Sequence, residues 1–312
     1  MRIVLLFLLF FMMLHAKFSS VNIIPLSKNS TFMGLKILDQ KALQFTSINN
    51  IKFSEISDIA YDKKSNFLYL LSDEGKLFTF NAKFTEKIES LTALSAVNLR
   101  KRNGDAFKAW RRDSEGMTLD DRGRLLISFE ERAKIAWFHK NSKKYGRMIK
   151  SYTLPKKLRG TKNYRSKNKS LEALAWHAQY GILTASEWPL KSEHKKRQTI
   201  YALNGKEWSF KAEPEAKSAV TAIEVMDDGN LLILERSYTG LMNPFVITLK
   251  KVYLGNKKMC KTKVLAKMSS HKGWDIDNFE GLARVGKGRY IVVSDNNDNF
   301  FQQTLLIYFE VQ

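Results

Sequence analysis

Apolar and polar residues alternate along most of this chain in short runs that are interrupted by turn residues. Val, Ile, Leu, Tyr and Phe dominate the runs, while Gly, Asn, Asp and Ser separate pairs of them. Short β-rich runs on either side of such turns are typical of antiparallel hairpins. The pattern therefore predicts an all-β chain.

One hairpin pattern occurs five times, in the segments 58–73, 115–130, 172–187, 221–235 and 280–295. Each copy begins with an acidic residue, except the fourth, which begins with Thr221. A small residue, a turn, an apolar run and a second acidic residue follow. The copies start roughly 50 to 60 residues apart, which suits a four-stranded blade with its loops. The repeat therefore predicts a β-propeller.

The segments between the repeats supply the remaining strands, at 75–80, 133–139, 199–203 and 245–253. At roughly 50 residues per blade, the chain length favours six blades. The sixth blade would combine 33–39 with 304–311, so that strands from both ends of the chain close the ring and leave no exposed sheet edge. A five-bladed ring with a separate terminal sheet is the alternative.

The paired acids are the feature that points to chemistry. An antiparallel hairpin brings its two ends together, and a propeller gathers its innermost strands around one channel. Crowded carboxylates repel one another unless some are protonated, paired with a cationic side chain or bound to a metal ion. Alternatively, each acid could bind backbone amides and only stabilise blade geometry.

Oxygen-rich sites of this kind favour a hard cation, Ca²⁺ before Mg²⁺ and both before Zn²⁺. A carboxylate left free by the ion would serve as a general base, and the candidates for this role are Glu130, Glu187 and Glu235. The predicted metal ligands are the remaining acids of the repeats, namely Asp58, Asp73, Glu115, Glu172, Glu280 and Asp295.

The amino-terminal segment resembles a secretory signal peptide. Arg2 precedes an apolar run over 3–14, and Ala16 provides a small residue for cleavage. The run is shorter than the roughly 20 residues that a membrane-spanning helix needs. We therefore expect residues 1–16 to be removed and 17–312 to form a single propeller domain in the periplasm or outside the cell, with no transmembrane segment.

Charge and cysteine content limit the function further. The formal net charge of +21 attracts anions, and a dense group of Lys and Arg lies in 156–169, which we interpret as an exposed loop. No nucleic-acid-binding module is recognisable. Cys260 is the only cysteine, so neither an internal disulfide nor a cysteine-based zinc site is expected. An anionic small molecule or envelope component is the expected substrate.

Several segments resemble the bacterial family named for the esterase-like activity of phytase. The matching segments are Asp-Ser-Glu-Gly-Met at 113–117, Ser-Leu-Glu-Ala-Leu at 170–174, Asn-Phe-Glu-Gly-Leu at 278–282, Val-Ser-Asp-Asn-Asn-Asp at 293–298 and Leu-Leu-Ile-Tyr at 305–308. The resemblance covers roughly residues 50–312. It implies an exported, propeller-like domain with recurrent Glu and Asp, which hydrolyses phosphoester substrates.

Three functions are compatible with these observations. The first is an exported, metal-dependent hydrolase of phosphoesters, with Ca²⁺ held by carboxylates at the channel mouth. The second is a non-enzymatic binding propeller of the cell envelope with a structural cation. The third is a propeller lactonase or carboxylesterase.

Overall fold

The computed structural model describes residues 18–140, 143–240 and 243–312, and its sheets form a five-bladed β-propeller. Four short 3₁₀ helices lie in the loops of the described part, at Ala109–Arg111, Lys156–Leu158, Thr161–Asn163 and Ser270–Lys272. The strands, in chain order, are β1 Phe18–Ser20, β2 Thr31–Phe32, β3 Leu35–Leu43, β4 Ser47–Ile48, β5 Ile51–Lys52, β6 Ile56–Asp62, β7 Phe67–Ser72, β8 Lys76–Phe84, β9 Ile88–Asn98, β10 Ser114–Leu119, β11 Leu125–Phe129, β12 Lys134–Phe138, β13 Met148–Ser151, β14 Leu171–His177, β15 Gly181–Ser186, β16 Arg197–Ala202, β17 Glu207–Lys211, β18 Ala219–Val225, β19 Leu231–Ser237, β20 Val246–Tyr253, β21 Lys261–Ser269, β22 Asn278–Gly286, β23 Arg289–Asp295 and β24 Thr304–Val311.

The first four repeats each form one antiparallel four-stranded blade. Blade 1 contains β6 to β9, blade 2 β10 to β13, blade 3 β14 to β17, and blade 4 β18 to β21. The predicted outer strands are confirmed, because β8, β12, β16 and β20 each form the third strand of their blade. The first strands of the blades contact one another around the ring and enclose the central channel.

Blade 5 joins the two ends of the chain in one sheet. The strand order is β1, β3, β24, β23 and β22, and the short strand β2 also pairs with β3. Leu306 of β24 pairs with Val293 of β23 on one side and with Lys41 of β3 on the other. The prediction that the ends of the chain pair is therefore correct, but the preferred count of six blades is wrong. The terminal strands complete the fifth repeat's blade and do not form a sixth.

Apolar side chains between neighbouring blades hold the ring together. Between blades 1 and 5, Phe53, Phe78 and Phe80 pack in one buried cluster with Ile291 and Leu306. Full burial of such a side chain stabilises the fold by about 1.5–3 kcal/mol. Closure of the ring therefore depends on packing contributed by the terminal strand β24.

Gly116 allows two inner strands to approach closely. A Cβ atom at this position would lie 2.4 Å from the carbonyl oxygen of Glu172 and 2.8 Å from the amide nitrogen of Leu174. No side chain fits in that space, because real Cβ contacts are longer. The small residue of the second repeat is thus required where β10 meets β14, directly beside the acidic residues.

The export prediction is not tested by this structure, since the expected signal peptide lies outside the described residues. Within the described ranges, no helix has both the length and the apolar character needed to cross a bilayer.

Candidate acidic site at one mouth of the channel

A β-bulge near the start of each inner strand determines which side chain points to the channel mouth. In blades 1, 3, 4 and 5 the pairing with the second strand skips one residue, and in blade 2 it skips Glu115 and Gly116. A bulge re-aims the side chain of the extra residue. The residues that occupy this position around the ring are Ser57, Glu115, Glu172, Thr221 and Glu280.

A second set of side chains lies at the end of the second strand of each hairpin. Each of them directly follows the residue that pairs with the inner strand just before the bulge. In blade 3, Glu187 follows Ser186, which pairs with Leu171. In blade 4, Arg236 follows Glu235, which pairs with Val220. Four of the five positions carry an acid and the fourth carries an arginine. The residues, in ring order, are Asp73, Glu130, Glu187, Arg236 and Asp295.

Carboxylates from blades 2 and 3 form the centre of the acidic cluster. Glu130, Glu172 and Glu187 each have an oxygen within 4.8 Å of the other two, and Asp113, Glu115 and Glu130 form a second group with the same spacing. Glu130, Glu172 and Glu187 are only 5%, 7% and 3% exposed. Glu130 belongs to both groups and also accepts a hydrogen bond from the Ser170 backbone N–H at 2.8 Å.

Two cationic side chains compensate part of this charge. Lys169 Nζ lies 2.5 Å from Glu187 Oε2, and Arg236 Nη2 lies 3.2 Å from Glu187 Oε1. Arg236 also pairs with Glu280 and donates to Asn278 Oδ1. Among the described residues the carboxyl groups of the cluster outnumber these two cations, so the cations cannot compensate all of the carboxyl groups in their ionised form.

The acids of blades 1 and 5 extend the cluster around the mouth. Asp295 Oδ1 accepts from the Asn297 backbone N–H at 2.8 Å, and Asn278 Nδ2 lies 3.5 Å from Asp295 Oδ2. Asp73 Oδ1 is buried and has no hydrogen-bond partner among the described residues. A buried carboxylate oxygen without a donor is costly unless a proton or a cation reaches it.

The structure does not bring Asp58 or Glu235 into the cluster. Asp58 Oδ1 accepts from the N–H groups of Ile59 and Leu282, and Oδ2 accepts from Met117 at 2.5 Å. Asp58 therefore connects three inner strands, and its position does not fit the predicted role of a metal ligand. Its neighbour Ser57 occupies the channel-mouth position of that blade.

Glu235 lies inside blade 4 and is 1% exposed. Its carboxylate binds Lys250 Nζ at 2.9 Å and accepts from the Glu213 backbone N–H and the Ser218 hydroxyl. This closed ion pair does not fit the predicted role of a general base. The other predicted residues, Asp73, Glu115, Glu130, Glu172, Glu187, Glu280 and Asp295, do gather at the mouth.

Burial and mutual repulsion raise the pKa values of the clustered acids. Burial, followed by the charges of Glu187 and neighbouring carboxylates, raises the pKa of Glu130 to about 8 and that of Glu172 well above its usual range. Burial and nearby carboxylates likewise raise the pKa of Asp73 and of Asp295 to about 8. At neutral pH and without a cation, these carboxyls hold protons.

This cluster predicts that the metal-free protein loses stability as the pH rises. Asp73, Glu130 and Asp295 have a pKa of about 8 in the folded state, against about 4 when unfolded. Between these pH values the folded state binds more protons, so the free energy of unfolding falls with increasing pH. In EDTA, we expect the urea midpoint to be lower at pH 8.5 than at pH 5.5, by an amount worth several kcal/mol, because a tenfold change in proton affinity is worth about 1.4 kcal/mol. An equal or higher midpoint at pH 8.5 would contradict the proposed crowding.

A cavity of about 950 Å³ opens on the same side of the channel. Its wall combines the cationic side chains of Lys169, Lys217 and Arg236 with the aromatic rings of Trp188 and Tyr238. Three acids, Glu187 of the cluster, Asp275 and Asp277, also line it. A small anionic molecule could therefore reach the carboxylates from this side, between blades 3, 4 and 5.

Sequence reasoning missed Asp113, Lys169, Arg236 and Asn278 as residues of the site. The basic composition of 156–169 predicts a solvated loop, yet the ammonium group of Lys169 pairs with Glu187. Arg236 follows Glu235 directly, and aligning the fourth repeat from its strand end would have placed the arginine at the position of the acids. Asn278 was visible as the residue two positions before Glu280, but its contact with Arg236 depends on the fold.

Comparison with known proteins places the chain among phytase-like sequences. The family model described as "Phytase-like: Esterase-like activity of phytase" matches residues 51–298. No protein of curated function matches the chain in sequence.

Two solved structures that match the chain share little sequence with it. The PQQ-bound aldose sugar dehydrogenase of Streptomyces coelicolor is 11% identical, with a TM-score of 0.46, and the match covers 93% of this chain and 100% of that one. The β-propeller domain of Cps50 (Swd1) of Myceliophteria thermophila is 8% identical, with a TM-score of 0.41 and coverage of 94% and 98%.

Proposed function

This chain belongs to the phytase-like family, and from that premise we propose that its acidic channel mouth hydrolyses phosphoesters with the help of a bound Ca²⁺ ion. The observation that carries the proposal is the convergence of Glu130, Glu172 and Glu187, whose oxygens lie within 4.8 Å of one another, beside a cavity of about 950 Å³.

The donor set fits a hard divalent cation. Each ligand oxygen lies about 2.3–2.6 Å from a bound Ca²⁺, so two ligands of one ion are at most about 5 Å apart. The carboxylates of both three-residue groups meet this limit. The buried Asp73 Oδ1 without a donor shows a further uncompensated oxygen at the same mouth. Glu130 and Glu172 would hold the ion, and Glu115, Glu280 and Asp295 would surround it.

Bound Ca²⁺ would polarise a phosphoryl oxygen and lower the pKa of an associated water molecule. The chain's own residues would bind the substrate and handle the proton. Lys169, Lys217 and Arg236 line the cavity and would attract a phosphate group. Glu187, which belongs to the same group of carboxylates and lines the cavity, would accept the proton of the attacking water as a general base.

A substrate panel tests this proposal. Purified protein is assayed with p-nitrophenyl phosphate, bis(p-nitrophenyl) phosphate and p-nitrophenyl acetate, each with Ca²⁺ and with EDTA. We expect Ca²⁺-stimulated hydrolysis of at least one phosphoester, which EDTA removes. Hydrolysis of the acetate alone would favour the carboxylesterase or lactonase, and no turnover of any ester would contradict a hydrolase.

A binding propeller is the second candidate, and one observation favours it. Arg236 already pairs with both Glu187 and Glu280, and Lys169 pairs with Glu187, so part of the cluster is neutralised by the protein itself. In that case the cation would be structural. Ca²⁺ would then raise the melting temperature without supporting turnover of any ester in the panel.

A further inference from the structure

A second large cavity, of about 900 Å³, lies beside blade 2 and is lined by cationic side chains. No Asp or Glu lies among the described residues of its lining. Phe107 and Tyr152 add aromatic surface. The cationic residues that line this cavity, here called the basic cleft, are Lys101, Arg102, Arg111, Arg132, Lys134 and Arg159.

The basic cleft adjoins the acidic cluster through the backbone. Arg111 lies two residues before Asp113, and Arg132 lies two residues after Glu130. Two residues of extended chain span at most about 7 Å. The same two chain segments therefore present acids to the channel mouth and cations to the cleft, on the same face of the propeller.

Lys134 is a half-buried residue of the basic cleft. Its Nζ lies 3.6 Å from the ring centroid of Phe129 and 4.4 Å from that of Phe107. Among the described residues, no carboxylate forms an ion pair with it. Burial, together with the charges of Arg132 and Arg111, lowers the pKa of Lys134 to about 8. Lys134 thus contributes positive charge beside the charges of Arg132 and Arg111.

Such a site has the properties of an oxyanion receptor. Guanidinium groups donate paired hydrogen bonds to phosphate or sulfate oxygens, and lysine adds a point charge. We propose that the basic cleft binds a second phosphate or sulfate group of the substrate, at a position other than the bond that is hydrolysed at the acidic mouth. The binding site stands on its own residues, whereas its link to hydrolysis rests on the proposed function.

Equilibrium binding tests the site without turnover. Pyrophosphate and sodium sulfate are titrated separately into the full chain by calorimetry, in EDTA so that no cation bridges the anion to the acids. We expect saturable binding of pyrophosphate. The double variant Arg132→Gln/Arg159→Gln, which changes two exposed side chains, should bind it at least about tenfold more weakly, since charge-assisted hydrogen bonds are lost.

A matched control separates the cleft from the overall positive charge. Lys261→Gln/Lys263→Gln removes the same charge from exposed positions of β21 in blade 4 and should leave the affinity unchanged within about twofold. Equal weakening in both double variants, or no binding of pyrophosphate to the wild type, would overturn the proposal. Sulfate binding with the same dependence on Arg132 and Arg159 would show a general oxyanion site, and its absence would show one for phosphate.

Kinetics test the link to hydrolysis. Glucose 1,6-bisphosphate carries a second phosphate that glucose 1-phosphate lacks. Arg132→Gln/Arg159→Gln should raise KM for the bisphosphate about tenfold with kcat unchanged, and should leave KM for the monophosphate unaltered. An equal KM for the two substrates in both proteins would overturn the link. If the wild-type protein turned over neither substrate but still bound pyrophosphate, the proposed function would be refuted and the anion site would stand.

Discussion

Glu130→Gln should reduce Ca²⁺-stimulated phosphoester hydrolysis at least about 100-fold, because even the loss of an outer-shell partner of a metal ligand costs about 10–100-fold. Glu130 is the residue that both carboxylate groups share. The amide has nearly the same shape and can still accept the Ser170 backbone N–H, which lies 2.8 Å from Glu130 Oε1. The loss would therefore come from the missing negative charge at the bound ion.

Stability distinguishes this effect from simple unfolding. Because the substitution removes one of several repelling carboxylates, the free energy of unfolding in EDTA at pH 8.5 should stay equal or rise. Glu89→Gln is the matched control, since Glu89 is exposed and pairs only with Lys83 on blade 1 among the described residues. Activity retained in Glu130→Gln, or lost equally in Glu89→Gln, would refute the assignment.

Asp58→Ala should destabilise the protein by about 3–5 kcal/mol, the largest effect on stability that we expect. Asp58 is 3% exposed and accepts from the backbone N–H groups of Ile59, Met117 and Leu282. Each buried donor that loses its acceptor costs about 1–3 kcal/mol. These donors lie on β6, β10 and β22, so blades 1, 2 and 5 all lose a connection at the channel.

Asp58→Asn provides the conservative comparison. It keeps one acceptor oxygen and should cost clearly less than Asp58→Ala in urea denaturation. Ca²⁺ affinity should change little in Asp58→Asn, because this side chain lies outside the cluster. If Asp58→Asn abolished Ca²⁺ binding with stability intact, the metal-ligand role first predicted from the sequence would be restored.

The repeat pattern alone predicted most of the fold because strands and turns are local signals. The hairpins around Asn66, Gly123 and Gly229 form as the turn residues indicate. The number of blades was not predictable in this way, since β3 and β24 pair across nearly the whole chain. A strand that completes blade 5 and a strand that begins a sixth blade have the same alternation of apolar residues.

The site was predictable in kind but not residue by residue. Paired acids at hairpin ends do gather at one mouth, yet the bulge in each inner strand shifts the register by one position. In the first and fourth repeats, Asp58 and Glu235 lie one residue away from the positions that face the mouth, which Ser57 and Arg236 occupy. A bulge depends on contacts with the neighbouring blade, as at Gly116, and alternation along a single strand does not reveal it.

The cationic partners were hidden for a related reason. Lys169 precedes β14 in a loop whose composition is typical of solvated surface, and Arg236 lies in a strand of blade 4. Only the ring geometry brings their side chains to Glu187 from two directions. Charge pairs between distant segments leave no periodic signal in the sequence.

Calorimetric titration of Ca²⁺ at pH 7 tests the central claim most directly, that the crowded carboxylates hold a cation. Carboxyls with a pKa of about 8, such as Glu130 and Asp295, must release protons when the ion binds. We predict saturable binding whose measured heat changes with the ionisation enthalpy of the buffer, and much weaker binding in Glu130→Gln. Absence of binding, or binding without proton release and unchanged in Glu130→Gln, would contradict the account.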